Sequence, residues 1–210
     1  MQSNRIGGLY LITDTSIQSR YTHVELAEMA LQNGARIIQL RDKKKDALEL
    51  MHIGEHITRL CDNYGAYCII NDRVDVAFAS DAHGVHLGQN DLPVRVARNM
   101  LGDNKIIGGS ASTLQEARYI EKQGADYVGF GHIFATTSKQ KHYKPRGIKL
   151  LQQVLDTVSI PVIAIGGINT DNFKQVLDTG SDGIAVISSI CRHPDPAEAT
   201  RLFTEQMRLR

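Results

Sequence analysis

Three short stretches carry polar residues at spacings that could grip a phosphorylated substrate. In Gln39-Leu40-Arg41-Asp42-Lys43, the amide and the two cations alternate with other residues. On an extended strand, alternate residues share one face, so the three would point together. Asn71-Asp72-Arg73 and Gly88-Gln89-Asn90-Asp91 each close an apolar run with a carboxylate. Carboxylates on neighbouring loops suit Mg²⁺, which takes one or two of them together with substrate phosphates. Blander uses stand beside these: a rim salt bridge for Arg41 and Lys43, and a helix cap for Asp72 or Asp91.

The segment from Gly131 to Gly147 holds Lys139, Lys141, Lys144 and Arg146, no acid, and the hydroxyl run Thr136-Thr137-Ser138. On a nearly neutral chain this reads as an anion clamp, whereas a merely solvated loop would mix signs. Long loops in compact domains are often lids or binding loops. Further on, Gly166-Gly167 and Ser188-Ser189 each follow an apolar run. Paired glycines let backbone N–H groups approach a phosphate, as late loops of a barrel do. His132 sits beside the long loop and could act as a general acid or base, or simply pack there. Ser110 is uninformative alone, and Ser112 with Gln115 matches a capping box. His86 reads as a hydrogen-bonded wall residue. His52 and His56 lack the intervening glutamate of a metalloprotease and read as surface.

The elements that must position these groups alternate from end to end. Eight apolar or β-branched runs read as strands: Leu9–Thr13, Arg36–Arg41, Tyr67–Asn71, Gly84–Leu87, Lys105–Gly109, Tyr127–Gly131, Pro161–Ile165 and Gly183–Ile187. Most are near-continuous apolar runs, as parallel strands covered by helices require. Amphipathic helices are expected over His23–Asn33, Ala47–Asn63, Pro93–Met100, Thr113–Lys122, Ile148–Thr157, Thr170–Leu177 and Asp195–Met207, with a shorter one in Arg73–Ser80. Gly34, Gly124 and Gly180 each follow a helix and precede a strand, a repeated joint that argues for one architecture. Strict alternation means a parallel sheet, open or closed. Eight units favour an α/β fold of the (β/α)8 TIM-barrel type, one domain over residues 1–210. A dinucleotide-binding sheet would need GxGxxG after its first strand, where this chain has Thr13-Asp14-Thr15.

Composition narrows the classes. With 24 basic and 23 acidic residues the net charge is +1, without the excess a nucleic-acid binder carries. Trp is absent, which argues against a stacking platform for single strands. No run is long and apolar enough for a membrane span. The three cysteines, Cys61, Cys68 and Cys191, show no CxxC spacing, and suit reduced thiols in a cytoplasmic protein. Small phosphorylated substrates are the expected partners, and a homo-oligomer is left open.

Taken together, these stretches resemble the thiamine phosphate synthase family. The similarity is carried by Gln39-Leu40-Arg41-Asp42-Lys43, Asn71-Asp72-Arg73-Val74-Asp75, Gly84-Val85-His86-Leu87-Gly88-Gln89-Asn90-Asp91, Thr136-Thr137-Ser138-Lys139 and Ile165-Gly166-Gly167-Ile168. It implies an enzyme that joins hydroxymethylpyrimidine pyrophosphate to hydroxyethylthiazole phosphate, giving thiamine phosphate and pyrophosphate. By the same resemblance, Asp72 and Asp91 would hold Mg²⁺. Arg41, Lys43, Asn71 and Lys139 would contact the pyrophosphate, Gln39 the pyrimidine, and Ser110 would lie near the reacting groups. Thr136, Ser138, Gly167, Ile187 and Ser188 would cradle the thiazole phosphate. Departure of pyrophosphate would leave a pyrimidine-methyl cation for the thiazole nitrogen to capture.

One stretch departs from that pattern. The synthase often has Gly-Pro where this chain has Gly131-His132, and Thr-Lys where it has Ser138-Lys139. Gly131-His132-Ile133-Phe134 and Pro145-Arg146-Gly147 are similar to the sister family, thiazole tautomerase. There a histidine matching His132 shuttles a proton to aromatise a carboxythiazole phosphate, without Mg²⁺. Retention of Asp72, Asp91, Arg41, Lys43 and Lys139 favours the synthase, because proton transfer has no evident use for them all. A non-catalytic sensor of a phosphorylated ligand is the third reading.

Overall fold

A computed structural model describes residues 6–136 and 144–208. Eight parallel strands, β1 (Gly8–Thr13), β2 (Ile37–Leu40), β3 (Tyr67–Asn71), β4 (Gly84–Leu87), β5 (Ile106–Ala111), β6 (Tyr127–Gly131), β7 (Val162–Ile165) and β8 (Gly183–Val186), close in sequence order into a barrel. Helices α1 (His23–Gln32), α2 (Ala47–Tyr64), α3 (Val74–Ala79), α4 (Val94–Leu101), α5 (Leu114–Lys122), α6 (Gly147–Leu155), α7 (Phe173–Leu177), α8 (Ser188–Cys191) and α9 (Pro196–Arg208) complete the chain. This is the (β/α)8 barrel expected from the alternation. Among the described residues, no helix is long and apolar enough to cross a membrane.

Period-two burial builds two cores from one sheet. In β1, Leu9 and Leu11 face the helices, while Tyr10 and Ile12 join Ile37, Ile69, Tyr127 and Ile163 inside the barrel. Burying each large apolar side chain contributes roughly 1.5–3 kcal/mol. The helices start where their sequences supply acceptors. Thr22 and Asp46 accept from the N–H groups of Glu25 and Glu49, and both glutamates reach back to close capping boxes. Gly34, Gly124 and Gly180 have φ of 91°, 87° and 85°, so the repeated joint is a left-handed turn from helix into strand.

Three local expectations are corrected. The cap before α5 is one residue later than Ser112 and Gln115. Thr113 accepts from the Glu116 N–H at 3.1 Å, and Ser112 donates to the Glu116 carboxylate through both its N–H and its hydroxyl. Thr113 has the extended backbone a cap needs, and the Glu116 side chain occupies the Ser112 hydroxyl. Neither Asp72 nor Asp91 caps a helix: Arg73 and Pro93 hold those positions, without side-chain cap bonds. Finally, α8 is an additional short helix directly after β8. Its four residues are too few for periodicity to reveal.

Candidate active site

A cavity of about 80 Å³ opens inside the C-terminal end of the barrel. Gln39, Asn71, Asp72, His86 and Ser110 line it, over Tyr10 and Tyr127. Four strands, β2 to β5, deliver inward-facing polar groups to it, as β-alternation allows. They are joined by hydrogen bonds across the barrel. Gln39 Nε2 donates to the Tyr10 hydroxyl at 2.7 Å, and the Tyr10 and Tyr127 hydroxyls are 2.9 Å apart. Tyr127 lies 2.9 Å from His86 Nδ1, and His86 Nε2 lies 2.8 Å from Ser110 Oγ. Burial pushes the ionisation of both phenols far up, so both stay neutral.

The two carboxylates are anchored to the end of β4. The Asp72 N–H donates to the His86 carbonyl at 2.9 Å, and Asp91 Oδ2 accepts from the Gly88 N–H at 2.6 Å. Asp72 has φ of 65°, a left-handed conformation that costs most side chains energy and that Asp tolerates comparatively well. Lys43 Nζ is 3.6 Å from Asp72 Oδ2 and its side chain is 64% exposed, so it reaches across the rim from β2.

Arg41 is buried and pairs with Asp14, which follows β1. Its Nε is also buried and finds no partner among the described residues. A second polar group backs this pair. His23 Nδ1 is 2.8 Å from Thr13 Oγ1 and His23 Nε2 is 3.2 Å from Asp42 Oδ2, while Thr15 donates to Asp42 at 2.7 Å. Burial lowers the His23 pKa against the opposing pull of Asp42. Desolvation would raise the Asp42 carboxyl, but hydrogen bonds from Thr15, the Lys44 N–H and His23 outweigh it and hold it at about 2.

A smaller cavity of about 30 Å³ adjoins the first, between the ends of β6, β7 and β8. Thr136, Gly166, Gly167, Ile187 and Ser188 line it, and Ile165 and Ala185 are walls of both cavities. Its lining includes main chain at the two glycines, whose φ values of 98° and 68° are open to glycine. A Cβ at Gly167 would collide with the main chain of Ala135, so the loops after β6 and β7 touch backbone to backbone. Asn172 and Ser189 donate to the carbonyls of Gly167 and Ile168, at 2.9 and 2.6 Å. Ser188 opens α8, and loops seven and eight with a short helix are a common phosphate site in barrels.

His132 belongs to neither lining. It is 5% exposed, its Cβ packs against Gly166, and its carbonyl accepts from the Arg146 N–H at 2.8 Å. Ser138 and Lys139 lie outside the described residues. Of the other expected residues, Gln39, Asn71, Asp72 and Ser110 line one cavity, Thr136, Gly167, Ile187 and Ser188 line the other, and Arg41, Lys43 and Asp91 line neither.

Residues 9–190 match the family described as thiamine monophosphate synthase. The chain belongs to this family. It is 48% identical over 199 residues to a thiamine-phosphate synthase of Chlorobium phaeovibrioides, covering 95% of this chain and 93% of that protein. A thiamine-phosphate synthase of Methanospirillum hungatei is 46% identical over 200 residues, covering 95% and 97%. Among solved structures, a thiamine phosphate pyrophosphorylase from Pyrococcus furiosus superposes with a TM-score of 0.88 at 42% identity, covering 96% of both chains.

Within this family member, sequence reasoning overlooked Asp14, Tyr10 and Tyr127 at the site. The signal was present: Tyr10 and Tyr127 occupy inward phases of their strands, and a buried tyrosine normally finds a partner for its hydroxyl. Asp14 directly follows β1, at the end of the barrel where function gathers.

Proposed function

We propose that this chain is a thiamine phosphate synthase that joins hydroxymethylpyrimidine pyrophosphate to hydroxyethylthiazole phosphate. In the reaction, the bond from the pyrimidine methylene carbon to the pyrophosphate oxygen breaks. That carbon bonds to the thiazole nitrogen, and pyrophosphate leaves with the electron pair. One observation carries the reading: two cavities, one lined by polar side chains and one partly by glycine backbone, share Ile165 and Ala185 as walls. Two substrates held there would meet at the common wall, which replaces a bimolecular encounter with a positioned one.

Gln39 orients the pyrimidine from the barrel interior. Arg41, Lys43 and Asn71 receive the pyrophosphate, with Lys139 from the long loop. The buried Arg41 Nε, without a partner among the described residues, supplies a donor for an anion. Thr136, Ser138, Gly167, Ile187 and Ser188 cradle the thiazole phosphate.

Asp72 and Asp91 fit a magnesium ion. Both are oxygen donors anchored to the end of β4, and neither is used as a helix cap. Among the described residues, no group of three or more His, Cys, Asp or Glu side chains could hold a metal alone. A carboxylate pair that shares its ion with substrate phosphates suits Mg²⁺. When bound, the ion would neutralise charge on the leaving pyrophosphate. The Chlorobium and Methanospirillum relatives are thiamine-phosphate synthases, which favours the synthase over a tautomerase acting through His132. The three thiols, buried and free, suit a cytoplasmic location.

The test is to mix both purified substrates with the enzyme, with and without Mg²⁺, and to measure thiamine phosphate. Product should require Mg²⁺, and Asp72→Ala and Asp91→Ala should each cut the rate by at least about 100-fold. Full activity in both variants would refute the metal assignment, and absence of product from the parent enzyme would refute the reaction.

A further inference from the structure

Tyr10, Tyr127 and His86 form a continuous hydrogen-bonded chain between two residues of the mouth cavity, Gln39 and Ser110. Its direction follows from the orientation of the Gln39 amide and from counting protons. Gln39 Nε2 donates to the Tyr10 oxygen, so Tyr10 must direct its single proton elsewhere. The Tyr127 oxygen at 2.9 Å is its partner. Tyr127, receiving that bond, sends its own proton to His86 Nδ1 at 2.9 Å. Both phenols are neutral, so each has one proton to give and no more. A Nδ1 that accepts carries no hydrogen, which places the imidazole proton on Nε2. That proton points at Ser110 Oγ, 2.8 Å away. Ser110 accepts from His86, and its own hydroxyl proton is left to point into the cavity.

The barrel is built to admit this chain. A Cβ at Gly108 would collide with the Tyr127 ring and its hydroxyl, and a Cβ at Gly129 would come within 2.9 Å of His86 Cε1. Neither glycine has positive φ, so the requirement there is space. Two adjacent strands thus omit inward side chains where the rings of Tyr127 and His86 lie, 5.5 Å apart between centroids. Gln89 completes the support by donating to the Ser110 carbonyl.

We infer that Tyr10, Tyr127 and His86 are positioning residues that hold Ser110 as a hydrogen-bond donor toward an acceptor on the bound pyrimidine pyrophosphate. The inference rests on the synthase reading above. It assigns the chain no direct contact with the reacting atoms. Reversing the Gln39 amide would reverse every bond: His86 would carry its proton on Nδ1, and Ser110 would face the cavity with lone pairs only. The polarity of one amide therefore determines what Ser110 offers the substrate.

Two measurements on the full chain test this. ¹⁵N NMR of histidine-labelled protein at neutral pH reads the His86 tautomer without any substrate. The expected result is a proton on Nε2. Steady-state kinetics then compare Tyr127→Phe, which keeps the ring and removes the hydroxyl, alone and combined with Ser110→Ala. Tyr127→Phe should lower kcat by about tenfold, the effect of one misdirected hydrogen bond, with KM for the thiazole phosphate within about twofold. In the Ser110→Ala background the same change should lower kcat by less than about twofold, because two residues acting through one interaction are not additive. Should Tyr127→Phe fail to fold, Tyr10→Phe removes the preceding link, with an expected loss of about threefold. A proton on Nδ1 in the parent protein overturns the inference. So does a tenfold loss that persists in the Ser110→Ala background, which would indicate packing. If the parent enzyme forms no thiamine phosphate, the reaction falls by itself, and the NMR spectrum still decides the polarity of the chain.

Discussion

The two ends of the barrel each hold a cavity, and the larger one is at the wrong end for chemistry. The N-terminal face has a hollow of about 520 Å³, lined in part by Tyr67, His83, Lys105 and Asp126. The mouth cavity is far smaller, at about 80 Å³. What separates them is how their polar groups are used. At the base, polar groups pair with neighbours across loops: Lys105 with Asp81, Arg98 with Asp126, and His83 with Asp62, at 2.5, 2.6 and 3.0 Å. His83 Nδ1 also accepts from the Cys68 N–H. These bonds close the joints between elements. At the mouth, side chains from β1, β2, β4, β5 and β6 link to one another and end at cavity-lining groups. Base contacts read as stability and mouth contacts as function, in line with the general division of labour in this fold.

The comparison can be broken most readily at its ion pairs. Asp14 and Arg41 are both buried at the mouth, whereas Asp81 at the base is 91% exposed. Removing one partner of a buried pair leaves an uncompensated charge, so Asp14→Ala should destabilise the fold by about 3–5 kcal/mol in chemical denaturation. A loss under about 1 kcal/mol would make the two ends equivalent.

Acid should sharpen the contrast to a lesser degree. Asp42 is held at about 2 in the fold against an ordinary 3.8. A depressed carboxyl contributes stability above its unfolded value and loses it as pH falls toward the folded one. The buried His23, whose pKa is lowered from 6.5, has the same sign: its contribution is present above about pH 6.5 and declines as pH falls below it. Thermal midpoints should therefore fall between about pH 4 and pH 2, and Asp42→Asn should flatten that stretch. An unchanged slope in the variant would remove Asp42 as the cause.

The smallest effect is expected at the base. Lys105→Ala breaks a pair with a solvated partner, so it should cost less than about 1 kcal/mol and leave kcat within about twofold. A large loss of activity in that variant would show that the lower cavity takes part in function.

Much of the site could be read from the chain before any coordinates. Gln39, Asn71, Asp72, Ser110, Thr136, Gly167, Ile187 and Ser188 all line the two mouth cavities. A parallel barrel sends every strand end to one rim, so a residue's phase on its strand nearly fixes its place. The boundaries shifted where local signals compete, as at Thr113, whose hydroxyl took the Glu116 N–H while Ser112 turned to the Glu116 side chain. His132 was legible as a residue of the mouth region but not as a buried one. Its burial depends on the Gly166 backbone, which is distant in sequence.

The alternation of apolar strands and amphipathic helices by itself determined a parallel α/β sheet, because parallel strands must be covered, and eight such units favoured its closure into a barrel. It also determined which residues could reach the mouth. Only the tertiary structure decided who pairs with whom there. Tyr10 and Tyr127 are 117 residues apart, and no local pattern relates them. The Tyr127 ring has its place because β5 carries Gly108 where a side chain would have stood. Hydrogen-bond partners inside a closed barrel are set by register and by available space, and both arise only when the sheet closes.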